Sequence, residues 1–244
     1  MMSLSQLEPV PHSGECAYDT PSRLVRQNEG LGSALQCFFQ PRSLALVGAT
    51  DREGSVGRAV LENLRAFAGR VFPVNAKRDK VLGLPAFASL SVLPEVPDLV
   101  VIVTPAATVP SLVEEAGQLG VKAVVVISAG FKEAGAEGGR IEAEVIAAAK
   151  RHGTRLIGPN CLGLMNPHAG LNATFATSMA RPGRVAFLSQ SGALCTAILD
   201  WSHEQNVGFS AFVSTGAMAD VGWGDLIRHF GHDPHTESIV MYVE

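Results

Sequence analysis

Residues 43–57 read SLALVGATDREGSVG. The first five, Ser43–Val47, form a short apolar run of the kind that lies in a sheet covered on both faces. Gly48 breaks the run, and Gly54 and Gly57 follow within a turn that also carries Thr50 and Ser55. From Gly57 to Ala66 the apolar residues recur at helical spacing. Strand, glycine turn and helix together open a βαβ unit. In an open parallel sheet, ligands bind beyond the carboxyl ends of the strands. Glycines let the backbone approach a phosphate closely, and a helix N-terminus offers unpaired N–H groups and partial positive charge. Taken alone, the segment also reads as a glycine-rich turn with no ligand. Its spacing is not GxGxxG, so a dinucleotide is not the default reading.

The pattern repeats outward from this unit. Strands are expected at Arg70–Val74, Leu99–Val103, Ala123–Ile127 and Arg155–Ile157, and helices at Thr108–Leu119 and Glu137–His152. Strands alternating with helices predict a parallel sheet. The stretch from Leu164 to Pro182, with its Asn, Pro and Gly, reads as irregular. A second series follows: strand Arg184–Leu188, helix Ala193–His203, strand Phe209–Val213, helix Gly224–Phe230 and strand Ser238–Val243. It has the look of the start of a domain. Residues 1–33 are rich in Pro, Ser, Gly and Glu and read as a flexible N-terminal extension. The expected organisation is therefore 1–33 extension, 34–165 first α/β domain, 166–182 connection and 183–244 partial second α/β domain.

Composition narrows the function classes. The chain has 244 residues, 47% of them apolar and 17% charged, with a formal net charge of −4. That describes a globular protein and gives no basic surface for nucleic acid. No apolar stretch is long enough to span a membrane, and the first residues do not read as a secretory signal. Cys16, Cys37, Cys161 and Cys195 form no CxxC pair and no metal-ligand spacing, which suits free thiols in a reducing, cytoplasmic setting. No metal site is expected.

Further candidates lie where strands end. Asn75 and Lys77 follow the second strand, where nicotinamide-binding folds place an acidic residue for the ribose hydroxyls. A Lys there, with Arg78 beside it, favours a phosphorylated ribose, though a solvated surface Lys is an equal reading of this motif alone. Thr104-Pro105, Ser128-Ala129-Gly130-Phe131 and Gly158-Pro159-Asn160-Cys161-Leu162-Gly163 each follow a strand, so all lie along one rim. Several polar or glycine turns on one rim suit a long ligand lying across it. Cys161 reads as a structural or pocket-lining thiol. Ser189, Gln190, Ser191, Gly192 and Ala193 again join a strand to a helix; the hydroxyls and free N–H groups suit an anion, and a serine N-cap is the alternative.

Seven segments in order resemble the NDP-forming acyl-CoA synthetases: PRSLALVGATDREGSVGRAVLENL, VFPVNAK, DLVVIVTPA, VISAGFKEAG, RLIGPNCLGLMN, VAFLSQSGAL and ILDWSHEQNVGFSAFVSTG. The resemblance runs from about Phe38 to Glu244. It includes ADP-forming acetyl-CoA synthetases and, more distantly, the α subunit of succinyl-CoA synthetase. It implies a Rossmann-like CoA-binding domain followed by part of a flavodoxin-like, succinyl-CoA synthetase-like domain. It also implies a reaction interconverting acid, CoA and NTP with acyl-CoA, NDP and phosphate. By position, Gly48, Ala49, Thr50, Gly54, Ser55, Val56 and Gly57 resemble the CoA phosphate loop. Lys77 resembles the contact to the nucleotide part, and Ile127–Ala129 resembles the strand end beside the pantetheine arm. Asn160 and Cys161 resemble the turn near the thiol. Gln190–Ala193 resembles the helix start that receives the phosphoryl group, and Glu244 resembles the carboxylate that pairs with the catalytic His. The phosphorylated His and an ATP-grasp segment have no match in these residues. The expectation is a CoA-binding component that works with an ATP-grasp subunit or as a homo-oligomer. The alternatives are a CoA-sensing module of the kind fused to lysine acetyltransferases and, less favoured, an NAD(P)-dependent oxidoreductase.

Overall fold

The structure is a computed structural model and describes residues 35–244. The expected N-terminal extension lies outside the described residues. A helical turn over 35–39 leads into β1 (Ser43–Val47), the second strand from one edge of the first sheet. The sheet is completed by β2 (Arg70–Val74), β5 (Leu99–Ile102), β6 (Ala123–Val126) and β7 (Arg155–Ile157). The order is β2-β1-β5-β6-β7, and every pairing is parallel.

Alternate residues of each strand enter different cores, as a pleat with period two requires. Leu44, Leu46, Leu99, Val101, Ala123 and Val125 face one side. Ala45, Val47, Val100, Ile102, Val124 and Val126 face the other. The second face is covered by α2 (Val109–Gln118) and α3 (Ala136–His152), through Val109, Val113, Ala116, Val145, Ala148 and Ala149. The first face is covered by α1 (Val56–Asn63), through Val60 and Leu61. The same core continues through Leu164, Leu171, Ala186, Leu188, Ala211 and Val213 of the second sheet and through Leu226 and Phe230 of the helix Trp223–Gly231. The two sheets thus share one continuous apolar core.

The second sheet has the order β12-β10-β11-β8-β9. Here β10 (Pro182–Ser189), β11 (Phe209–Ser214) and β12 (Ser238–Tyr242) run parallel, with α4 (Gly192–Gln205) and α5 (Trp223–Gly231) between them. Its other face packs Phe187, Phe209 and Phe212 against Cys195 and Leu199 of α4. The Leu164–Pro182 stretch is not irregular throughout, a correction to the sequence reading. It carries β8 (Gly163–Asn166) and β9 (Leu171–Thr174), which pair antiparallel with each other and extend the sheet beyond β11. All eight residues of the two strands are buried, so the polar–apolar alternation that marks a half-exposed strand is missing. The sequence reading also passed over a small hairpin, β3 (Lys80–Val81) with β4 (Leu84–Pro85). Leu82 and Gly83 at its tip both take positive φ, as a tight two-residue hairpin turn demands.

Candidate functional site

The glycine turn after β1 is shaped by close approach. Gly48 has φ +98°, and a Cβ there would meet Val103 Cγ2 at 2.9 Å. A Cβ on Gly57 would lie 2.1 Å from the Gly48 carbonyl oxygen. Only glycine at both positions lets α1 sit directly on the turn. Ser55 caps α1, its Oγ accepting from Arg58 N. Asn75 braces the turn rather than reaching outward: its amide donates to Ala49 O at 2.7 Å and accepts from Lys77 N at 2.8 Å. Asp51 accepts from Leu82 N and pairs with Arg78 at 2.6 Å. Arg78 is therefore committed to Asp51. Lys77 is exposed, and among the described residues its ammonium has no ion pair.

The ends of the neighbouring strands converge with the start of α4 on one cleft of about 840 Å³. Val56, Thr104, Pro105, Ile127, Ser128 and Ala129 line one side, and Asn160 and Cys161 line the middle. Gln190, Ser191, Gly192, Ala193 and Glu244 line the other side. Ser128 Oγ donates to Thr104 O at 2.5 Å, and Asn160 N donates to Ser128 O at 2.9 Å, so three strand ends are tied together. Asn160 itself takes positive φ. Cys161 is buried, its thiol donating to Val126 O at 3.3 Å. Burial pushes that thiol up to about 12, which leaves it a neutral wall of the cleft rather than a nucleophile.

The α4 end has two distinct serines. Ser191 is the N-cap, its Oγ accepting from Leu194 N. Ser189 is fully buried; its Oγ accepts from Ser191 N and donates to Ser191 O, both at 3.1 Å. It does not line the cleft, so it shapes the turn from beneath. The first-turn N–H groups of Gly192 and Ala193 have no carbonyl one turn earlier and sit at the cleft wall. Glu244 joins this end, its backbone N–H donating to Gln190 Oε1 at 2.8 Å. Gly48, Ala49, Thr50, Gly54, Ser55, Gly57, Asn75 and Lys77 are not part of this lining; the Gly48 turn abuts it through Val103 and Thr104.

Three lining residues, Val103, Phe175 and Thr196, escaped the sequence reading as site candidates. Phe175, directly after β9, is 39% exposed and lines both this cleft and a second one beside Gly54, Ser55 and Val56. Thr196 lies one turn into α4. The only signal for Phe175 in the sequence was an aromatic in a stretch read as connection. The 158–161 turn is clasped by the loop after β11: Ala217 N donates to Pro159 O and Ala219 N to Gly158 O. A Cβ on Gly216 would meet Pro159 O at 2.2 Å.

A strand-end cleft flanked by a glycine turn and a helix N-terminus coincides with two family matches. Residues 42–167 match the CoA binding domain, and residues 182–244 match the succinyl-CoA ligase-like flavodoxin domain. The chain belongs to the CoA-binding domain family. Over 86% of its length, the chain is 45% identical to acetate–CoA ligase [ADP-forming] I of Archaeoglobus fulgidus, covering 31% of that protein. It is 43% identical, again over 86%, to the alpha subunit of acetate–CoA ligase [ADP-forming] II of Pyrococcus furiosus, covering 46% of it. Among solved structures it resembles the dinucleotide-forming acetyl-coenzyme A synthetase 1 of Ca. Korarchaeum cryptofilum in complex with phosphate and ADP. The TM-score is 0.83 at 38% identity, over 87% of this chain and 46% of that one. The chain thus spans a third to a half of the length of these relatives. They favour neither the acetyltransferase-linked module nor the oxidoreductase. No described helix is long and apolar enough to cross a membrane.

Proposed function

We propose that this chain supplies the CoA site of an ADP-forming acid–CoA ligase. The carrying observation is the convergence of Thr104, Ser128, Asn160 and the α4 N-terminus on one cleft beside the Gly48–Gly57 turn. A glycine-lined turn at a helix start suits the pyrophosphate of CoA, because backbone N–H groups can reach the oxygens. Lys77, exposed and with no acidic partner among the described residues, would meet the 3′-phosphate. The pantetheine arm then follows the strand ends past Ile127–Ala129 toward Asn160 and Cys161.

At the far end, the Gly192 and Ala193 N–H groups would stabilise a phosphoryl group or a developing oxyanion. Glu244 and Gln190 frame the same spot and would orient an incoming histidine. The whole ligase reaction belongs to the longer assembly. An ATP-grasp partner, as a subunit or a further domain, would supply the nucleotide, and alpha-subunit relatives support that reading. The buried thiols Cys161 and Cys195 suit the cytoplasm.

Calorimetric titration with CoA, NADP and NAD tests the site. CoA should bind first in rank; tighter binding of NAD would overturn the reading.

A further inference from the structure

A separate cavity, of about 410 Å³, lies at the opposite rim of the second sheet. Its walls come from the helical turn at 35–39, the turn after β8, and the segment from α5 to β12. The amino ends of β11 and β12 open here, whereas the first cleft lies at carboxyl ends. Leu35, Phe39, Phe230 and Pro234 supply an apolar wall, and His229 stacks on Phe39 with ring centroids 4.9 Å apart.

The polar groups are unevenly satisfied. Both acids in the lining have partners: Asp225 accepts from Arg155 at 2.8 Å, and Asp233 accepts from Thr236 at 2.7 Å and from His235 N. Arg228 is different. Its nearest carboxylate oxygen is 3.9 Å away, and its side chain is 55% exposed. Three of the four imidazoles, those of His168, His232 and His235, have one nitrogen committed. His168 Nε2 bonds Gly183 O at 2.9 Å, His232 Nδ1 bonds Arg228 O at 2.7 Å, and His235 Nδ1 faces Asp233 at 3.4 Å. A ring nitrogen bonded to a carbonyl must carry its proton there, which leaves the other nitrogen with a lone pair.

We propose that this cavity is a second ligand site, for a small organic anion with a flat apolar body, taken up together with protons. Arg228 supplies the fixed charge. The free nitrogens of His168 and His232 become donors only when protonated, so an anion here draws protons onto them. Burial against Phe39 and Phe230 lowers the proton affinity of His229, which works against a cation there. The other ionisable groups facing the cavity are Asp225, Asp233 and His235; the polar groups from residues 35–40 are the amides Gln36 and Gln40. The carbonyl end of α5 opposes an anion with about half a charge. His232 caps that end by donating to Arg228 O, and Arg228 adds a whole positive charge. The volume falls in the usual range for small-molecule sites, about 300–1,000 Å³.

The test is calorimetric titration of the full chain, saturated with CoA, with AMP, benzoate and neutral adenosine, in two buffers of different ionisation enthalpy. At least one anion should saturate with net proton uptake, and adenosine should bind at least roughly tenfold more weakly than AMP. Arg228→Gln should weaken the anion roughly tenfold, and His232→Gln should reduce the proton uptake, with CoA affinity unchanged in both. AMP alone would identify a phosphate ester, and benzoate alone a carboxylate. The proposal is overturned if neither anion saturates, if binding carries no proton uptake, if Arg228→Gln binds as the parent does, or if CoA displaces the anion.

Discussion

The carbonyl oxygen of Gly48 stands 2.1 Å from the point where a Cβ on Gly57 would lie. The partner atom is backbone, so it cannot rotate away. Gly57→Ala must lift α1 off the turn, an overpacking cost of about 1–3 kcal/mol, and should also weaken CoA by tenfold or more. Gly54 has φ +69° but open space around its missing Cβ. Gly54→Ala should cost only about 1–2 kcal/mol, from the left-handed backbone alone. Urea unfolding and CoA titration of the two variants check this; equal effects on CoA would remove the packing argument.

Arg155 ties the edge of the first sheet to the second domain. It donates to Asp220 at 2.9 Å and Asp225 at 2.8 Å, and Asp220 also accepts from Leu156 N at 2.8 Å. Its side chain is largely buried. Arg155→Ala leaves two carboxylates facing each other with no cation between them, and should cost about 3–5 kcal/mol. Thermal unfolding followed by calorimetry reads this. A loss well under 1 kcal/mol would show that water replaces the guanidinium.

Lys77→Ala should weaken CoA roughly tenfold and leave dephospho-CoA nearly unchanged, because a charge-assisted phosphate contact contributes about 1.5–3 kcal/mol. Parallel titrations decide it, and equal losses for both ligands would move Lys77 off the phosphate.

Burial raises the thiols of Cys161 and Cys195, to about 12 and about 11. Neither should react with iodoacetamide at pH 8 in the folded protein, and both should react in urea, as peptide mass spectrometry would show. The linkage sign follows from the same shift. Above about pH 9 the unfolded chain ionises these thiols while the folded chain keeps them protonated, so the unfolded state holds fewer protons. Stability from this pair should be constant below pH 9 and fall between about pH 9 and pH 12. Cys161→Ala should flatten part of that fall.

The order of strands and helices was legible in the sequence because local burial writes itself into periodicity. β1 at Ser43–Val47, β2 at Arg70–Val74 and β7 at Arg155–Ile157 were read at their observed bounds. The β8–β9 hairpin was not legible: a strand buried on both faces loses its alternation, and its Asn and Gly residues mimic a loop. The strand-end rule placed Thr104, Ser128 and Asn160 on one rim before any geometry was known, since it depends only on parallel topology. Which side chains meet there was left to tertiary structure. Ser189 and Ser191 are two residues apart and look alike in sequence, yet one is buried under the turn and the other caps α4 at the cleft. Arg78 and Lys77 are adjacent, but only Arg78 finds Asp51, because the turn after β1 brings that carboxylate to it. Phe175 reaches the cleft only because β9 joins the second sheet. Periodicity reports what each residue does to its immediate neighbours along the chain. Partners tens of residues away are set by the path of the folded backbone, and that path fixed the shape of the site.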